Sequence, residues 1–301
     1  MILKRQKLAL AALSASPAGY LSERNLLAIL FQLQSESSFE KVGSPYDFLQ
    51  LNQFPFSYQA LHELERLAEN DILIRLRSGY QISSKFKAAM ISDLPLRVRE
   101  LARTVTQSFV AASSGLKAEI VDQNTEKWRT RRPRIQKTIK YSTKSFAGIR
   151  TIGYQDLSID CFLSTILTEN VDTIVDVRAN PISRKYGFSY SALKWLCNAC
   201  DVSYVHLPEL GISSSIRRSH LSRRHILERY YQDLDKSHSV LSELGNLAMT
   251  NRIALLCYEM YPHDCHREKL AHYISEITNY PVFHYSREDR VWQRESGFLL
   301  R

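Results

Sequence analysis

Residues 251–271, NRIALLCYEMYPHDCHREKLA, decide how the carboxy-terminal half is read. Ile253 to Cys257 is an unbroken apolar run with the length of a buried strand. Tyr258, Glu259, His263, Asp264, Cys265, His266 and Arg267 then crowd into one connection before helical spacing resumes over Glu268–Ile277. Buried strand, polar connection and helix start is the local pattern by which α/β proteins gather ligands at the carboxyl ends of their strands. Folding alone gives no reason to concentrate so many reactive side chains, so the stretch reads as one wall of an active site.

Working outward, Ile149–Tyr154 and Thr173–Val177 read as strands, separated by a helix over Ser158–Glu169 whose apolar face is Ile159, Phe162, Leu163, Ile166 and Leu167. That β-α-β order implies parallel strands joined by a right-handed crossover. A helix over Tyr190–Ala199, a short strand Ser203–His206, one long helix Ile226–Met249 and a last strand Pro281–Tyr285 complete the pattern. The expected fold is a three-layer, Rossmann-like α/β domain with a mainly parallel sheet over 149–301. Its strands end in GYQD, DVRANP, HLPELG and CYEMYPHDCHR, so four polar signatures converge on one edge.

The amino-terminal half has a different character. Helices are expected over Ile2–Ala15, Ser22–Gln34, Tyr58–Asn70 (capped by Ser57) and Leu94–Ser113, with a β-hairpin in ILIRLRSGYQIS around Arg77-Ser78-Gly79. The start of the chain has a signal-like sequence, but Lys7 interrupts it and Leu3, Leu8, Leu10 and Leu13 suit an amphipathic helix. The stretch YDFLQLNQFPFSYQALHELERLAENDIL resembles winged-helix domains, with Phe54 where their pattern has Gly. An α+β winged-helix domain over 1–113 is expected. Arg75 and Arg77 would lie on its wing, and Gln59, His62, Glu63 and Arg66 on the exposed face of its third helix.

Charge divides the same way. Residues 1–150 carry 23 Lys and Arg against 13 Asp and Glu, whereas residues 151–301 carry 17 against 18, so the whole basic excess lies in the first half. Segment 114–148 reads as an interdomain arm. Its core, KWRTRRPRIQKTIKYSTK, holds eight Lys and Arg and no acid, with Trp128 and Tyr141 interleaved. Cations neutralise phosphates and aromatics stack on unpaired bases, so Trp128, Arg129, Arg131, Arg132, Arg134, Lys137 and Lys140 are candidate nucleic-acid contacts. Double-stranded DNA, with or without modified bases, is the expected partner. No run reaches the roughly 18 apolar residues of a membrane span. Five cysteines without a regular framework suit a reducing, cytoplasmic compartment.

The motifs TIGYQDLSIDCFL, VDTIVDVRANPISRKYGFSYSALKWLCNACDVSYVHLPELG and IALLCYEMYPHDCHREKLA resemble the domain-of-unknown-function 488 family across roughly 150–285. The positions that recur in the family map onto Gly153, Tyr154, Asp176, Arg178, Pro181, Ser183, Arg184, Phe188, Tyr204, His206, Leu207, Gly211, Cys257, Glu259, Cys265, His266 and Arg267. Many members carry His where this chain has Tyr154. The resemblance implies a fold and a site, not a reaction.

The chemistry is therefore read from side chains. Asp176 and Arg178 leave one strand on the same side, which suits either a structural ion pair or a site. Glu259 can share a side with Cys257 and act as general base or as stabiliser of a developing cation, as carboxylates do in glycoside cleavage. His266 and Arg267 open a helix, where free amides favour an anion. Cys265 beside His and Arg has the setting that lowers a thiol pKa. Arg267 follows it too closely to form the phosphate cradle of rhodanese-type sulfurtransferases or cysteine phosphatases. Cys197 and Cys200 have the spacing of half a zinc site but belong to a helix, where core packing accounts for them. His263, Asp264, Cys265 and His266 are awkward neighbours for one metal, and neither metal nor cofactor is expected.

The candidate catalytic set is thus Asp176, Glu259, Arg178, His266, Arg267 and Cys265, with Tyr154, Arg184, Lys185, His206, Glu209 and Tyr258 as candidate substrate contacts. No clustered carboxylates of a two-metal nuclease are present. The reading that results is a hydrolase acting on DNA, an N-glycosylase that excises a modified or damaged base in repair or in defence against foreign DNA. Its alternatives are a DNA-binding regulator with a ligand-sensing α/β domain, and a nuclease or thiol enzyme using Cys265.

Overall fold

A computed structural model describes residues 2–35, 46–51, 54–115, 148–218, 220–286 and 291–294. The chain divides into two compact units, Met1–Pro133 and Arg134–Arg301. The division falls within the basic segment 114–148, whose proposed nucleic-acid contacts at 128–140 lie outside the described residues.

The first unit is built from helices α1 (Lys4–Ala15), α2 (Glu23–Ser35), α3 (Tyr58–Glu69) and α4 (Leu96–Gly115). Strands β1 (Tyr20–Ser22), β4 (Leu73–Arg75) and β5 (Gly79–Ile82) form a three-stranded antiparallel sheet in the order β1-β5-β4. Strands β2 (Leu49–Leu51) and β3 (Phe54–Phe56) pair separately. The Ser57 hydroxyl caps α3 by accepting from the Ala60 amide at 3.1 Å. Helix α1 is buried from Leu8 to Leu13, not on one stripe, because it packs against both α2 and α4. Strand β1 is too short to carry an alternation. It lies so close to β5 that a Cβ on Gly79 would sit 2.1 Å from the Leu21 carbonyl oxygen.

Glu63 is not on an exposed face. It is 5% exposed and takes the Arg5 guanidinium, the Tyr46 hydroxyl and the Gln59 amide. A carboxylate so enclosed needs hydrogen-bond partners, and Arg5 and Tyr46 come from distant parts of the chain to supply them. Arg75 is likewise engaged, with Glu23 and Glu65 each at 3.1 Å and its guanidinium over Tyr80.

The second unit is a mixed α/β fold on a six-stranded sheet in the order β11-β10-β6-β9-β7-β8. Its strands are β6 (Ile149–Gly153), β7 (Thr173–Asp176), β8 (Ser203–His206), β9 (Ile253–Cys257), β10 (Val282–Ser286) and β11 (Val291–Arg294). The first five run parallel, and β11 adds an antiparallel edge that the sequence reading lacks. The helices are α5 (Ile159–Thr168), α6 (Tyr190–Ala199), α7 (Ser214–Arg217), α8 (Arg223–Asp233), α9 (His238–Thr250) and α10 (His266–Thr278). On one face of the sheet Ile149, Val175, Ile253 and Leu255 join α9 and α10 in a core. Their even-numbered neighbours Ile152, Ile174, Ala254 and Leu256 point the other way and are equally buried, and α5 and α6 supply the other apolar stripes.

The expected single helix over Ile226–Met249 is two helices, separated by a tighter turn at Leu234–Ser237. Leu227, Leu234 and Leu241 keep a seven-residue spacing and all stay buried, which is why periodicity alone hides the break. Among the described residues no helix is long and apolar enough to cross a membrane.

Candidate functional site

Parallel strands place their carboxyl ends on one edge, and the register brings Gly153 opposite Cys257 and Asp176 opposite His206. Two networks form there.

The first is closed. Asp176, fully buried, accepts from the Arg178 amide at 3.1 Å and Nε at 2.8 Å on Oδ1. Its Oδ2 accepts from Arg178 Nη2 and the Tyr204 hydroxyl, each at 2.5 Å. The same guanidinium donates through Nη1 to the Tyr154 hydroxyl at 2.8 Å and the Phe188 carbonyl at 2.9 Å. Tyr154 stacks on Phe188 at 4.3 Å, and His206 Nε2 donates to the Arg178 carbonyl at 2.8 Å. Burial pushes the Tyr204 hydroxyl pKa up, and Asp176 adds to this. Burial alone would lower Arg178, but the hydrogen bond and charge of Asp176 raise it. Both carboxylate oxygens of Asp176 thus accept two hydrogen bonds each from within the protein, and all three guanidinium nitrogens of Arg178 donate to protein acceptors.

The second network surrounds Glu259. Its Oε2 lies 3.2 Å from Cys257 Sγ and 3.1 Å from Cys265 Sγ. His266 Nδ1 lies 3.8 Å from each sulfur, and its Nε2 meets the Val177 carbonyl at 2.9 Å. The Tyr230 ring closes the cluster edge-on to His266 at 5.1 Å. Cys257, Cys265 and His266 are at most 2% exposed, whereas the Glu259 side chain is 17% exposed and turns Oε1 toward Arg223 Nη2 at 3.4 Å. Burial raises the Cys257 thiol well above its ordinary pKa, and the bond to Cys265 adds to this. Burial acts the same way on Cys265. There the hydrogen bond from Cys257 and the charges of His266 and Arg267 prevail and hold it well below the usual thiol range. Burial disfavours a charged His266, yet the facing Cys265 raises its pKa.

Arg267 is fully buried and pins the connection from below. Nη1 donates to the Glu259 carbonyl at 2.6 Å and Nη2 to the Met260 carbonyl at 2.8 Å. It orients the Glu259 backbone through its two terminal nitrogens, while its buried Nε meets no hydrogen-bond partner among the described residues. Gly153 meets the same carbonyl from the other side: a Cβ there would lie 1.7 Å from the Glu259 oxygen. Gly153→Ala is accordingly expected to displace the Glu259 connection and to cost about 1–3 kcal/mol, visible as a lowered thermal midpoint.

The remaining candidates separate. Tyr258 is 43% exposed and edge-on to Tyr154 at 5.4 Å. Lys185 donates to the Tyr154 and Gln155 carbonyls at 3.2 and 2.6 Å. Arg184 and Glu209 are exposed and stand outside both networks. His263 and Asp264 also face outward, with side chains 70% and 40% exposed. Cys197 and Cys200 are packed in the core, where burial raises both thiols, Cys200 to about 12. Arg223 was not anticipated as a site residue. Its only sequence signal is the basic, serine-rich run ISSSIRRSHLSRR.

A family model described as a domain of unknown function, DUF488, matches residues 158–274. The matched segment runs from the cap of α5 into α10 and contains Asp176, Arg178, His206, Cys257, Glu259, Cys265, His266 and Arg267. Gly153 and Tyr154 lie just before it. No curated protein and no solved structure matches the chain significantly.

Proposed function

We propose that this protein is a hydrolase acting on DNA, and that it excises a modified base by cleaving its N-glycosidic bond. The observation that carries the reading is Glu259. It is a carboxylate at the carboxyl edge of the sheet, fixed at its backbone by Arg267 and Gly153 and open to solvent on one side. In this reaction a water oxygen bonds to C1′ as the bond from C1′ to the base nitrogen breaks. Glu259 takes the water proton and stabilises the cationic sugar, and the base leaves with the bonding electron pair. Asp176 is not the reacting carboxylate of this reading, because its oxygens are already filled by Arg178 and Tyr204. The exposed Arg223 guanidinium beside Glu259 suits a phosphate, and the exposed Tyr258 ring suits the face of an extruded base.

DNA as partner is supported by the basic excess of the first half and by the aromatic, cationic run at 127–144. A winged-helix reading of the first unit is supported by its chain order of helix, strand, two helices and hairpin around the β1-β5-β4 sheet. Modified rather than ordinary bases are the natural target, since a chain that removed ordinary bases would destroy its host's genome. The test is incubation with duplexes carrying single modified bases, followed by alkali. Alkali-labile breaks at a modified base but not in the unmodified duplex are expected. Intact DNA throughout, with binding that responds to a small anion, would replace the enzyme by a ligand-sensing regulator.

A further inference from the structure

The second network contains more than a general base requires. Two sulfurs, an imidazole nitrogen and a carboxylate oxygen converge, and none of the four is joined to the others by a covalent bond. The two sulfurs and the nearer ring nitrogen all lie within 4.8 Å of one another. Tetrahedral zinc, with Zn–S near 2.3 Å and Zn–N or Zn–O near 2.0 Å, sets neighbouring donors about 3.3–3.8 Å apart. The observed sulfur-to-nitrogen distances are 3.8 Å, close to that spacing, and the carboxylate oxygen lies 3.1–3.2 Å from each sulfur.

The histidine supplies a second, independent observation. A carbonyl oxygen only accepts, so the contact to Val177 places the ring proton on Nε2 and leaves the Nδ1 lone pair facing both sulfurs. A metal-binding histidine is typically held in this way, by a backbone carbonyl on its far nitrogen. Two sulfurs with an imidazole favour zinc over the hard cations magnesium and calcium.

We propose that Cys257, Cys265 and His266 Nδ1 bind a zinc ion, with Glu259 Oε2 as the fourth donor. The three inner ligands are sealed from solvent. Glu259 alone is reachable, so it is the donor a substrate can displace. The proposal deepens the hydrolase reading by assigning a metal to the same site, but its test uses no DNA.

The experiment takes the full-length reduced chain, strips it with a chelator and reloads it with zinc sulfate or with cobalt. The wild type is expected to take up a single zinc ion. With cobalt it should show thiolate-to-metal charge transfer and the intense d–d bands of a tetrahedral site. Cys257→Ser, Cys265→Ser and His266→Gln should each lose most of the metal, whereas Cys161→Ser, outside the cluster, should keep it. Should the three variants fail to fold, the cobalt spectrum of the wild type still decides. Failure to bind either metal, the weak bands of an octahedral oxygen site, a metal-free Cys257–Cys265 disulfide, or folded variants that load like the wild type would each overturn the proposal. Zinc without base excision sinks the hydrolase reading and leaves this one standing, and excision by a zinc-free chain does the reverse.

Discussion

Glu259→Gln is expected to lower single-turnover excision by about 10²–10⁴-fold, the usual worth of a positioned proton acceptor. Gln keeps the shape and still accepts a hydrogen bond, but it neither takes a proton from water nor balances a cationic sugar. The backbone clamp from Arg267 does not involve the substituted atoms, so the connection should hold its place. DNA binding measured by fluorescence anisotropy should stay near wild type. Excision at the wild-type rate in this variant would remove Glu259 from the chemistry.

Asp176→Ala is expected to act on the fold instead. It leaves the Arg178 guanidinium, 3% exposed, without its countercharge, and breaking one side of a buried pair costs about 3–5 kcal/mol. The Tyr204 hydroxyl, largely buried, loses its acceptor as well. Urea unfolding followed by near-ultraviolet circular dichroism should show the second unit melting at much lower denaturant. A variant as stable as wild type would show that the network does not hold the sheet edge. The contrast between the two variants separates the reacting carboxylate from the structural one, a distinction that sequence cannot make because both stand at the carboxyl ends of strands.

Much of the second unit was legible for a physical reason. Strands buried on both faces read as continuous apolar runs, so Ile253–Cys257 falls where pattern places it. Strands β1 and β11 were not legible, being three and four residues long and identified by their partners instead of their own alternation. Glu63 was misplaced because a charged residue on a helix is exposed by default, and only Arg5 and Tyr46, 58 and 17 residues away, reverse that.

The gathering of strand-end residues was predictable from parallel topology, but its internal division was not. Arg178 and Arg267 look alike in sequence as cations near a site, yet one is paired with a carboxylate and the other with two carbonyls. The cluster of Cys257, Cys265 and His266 was missed because its spacing matches no compact metal motif. The chain reversal between β9 and α10 closes that gap in space.

The most direct measurement is mass spectrometry of what leaves a modified duplex under single-turnover conditions. The wild type is expected to release a free modified base and Glu259→Gln none, with the sugar–phosphate backbone intact before alkali. Released nucleotides or new phosphate ends would mean phosphodiester cleavage, and that result would contradict base excision.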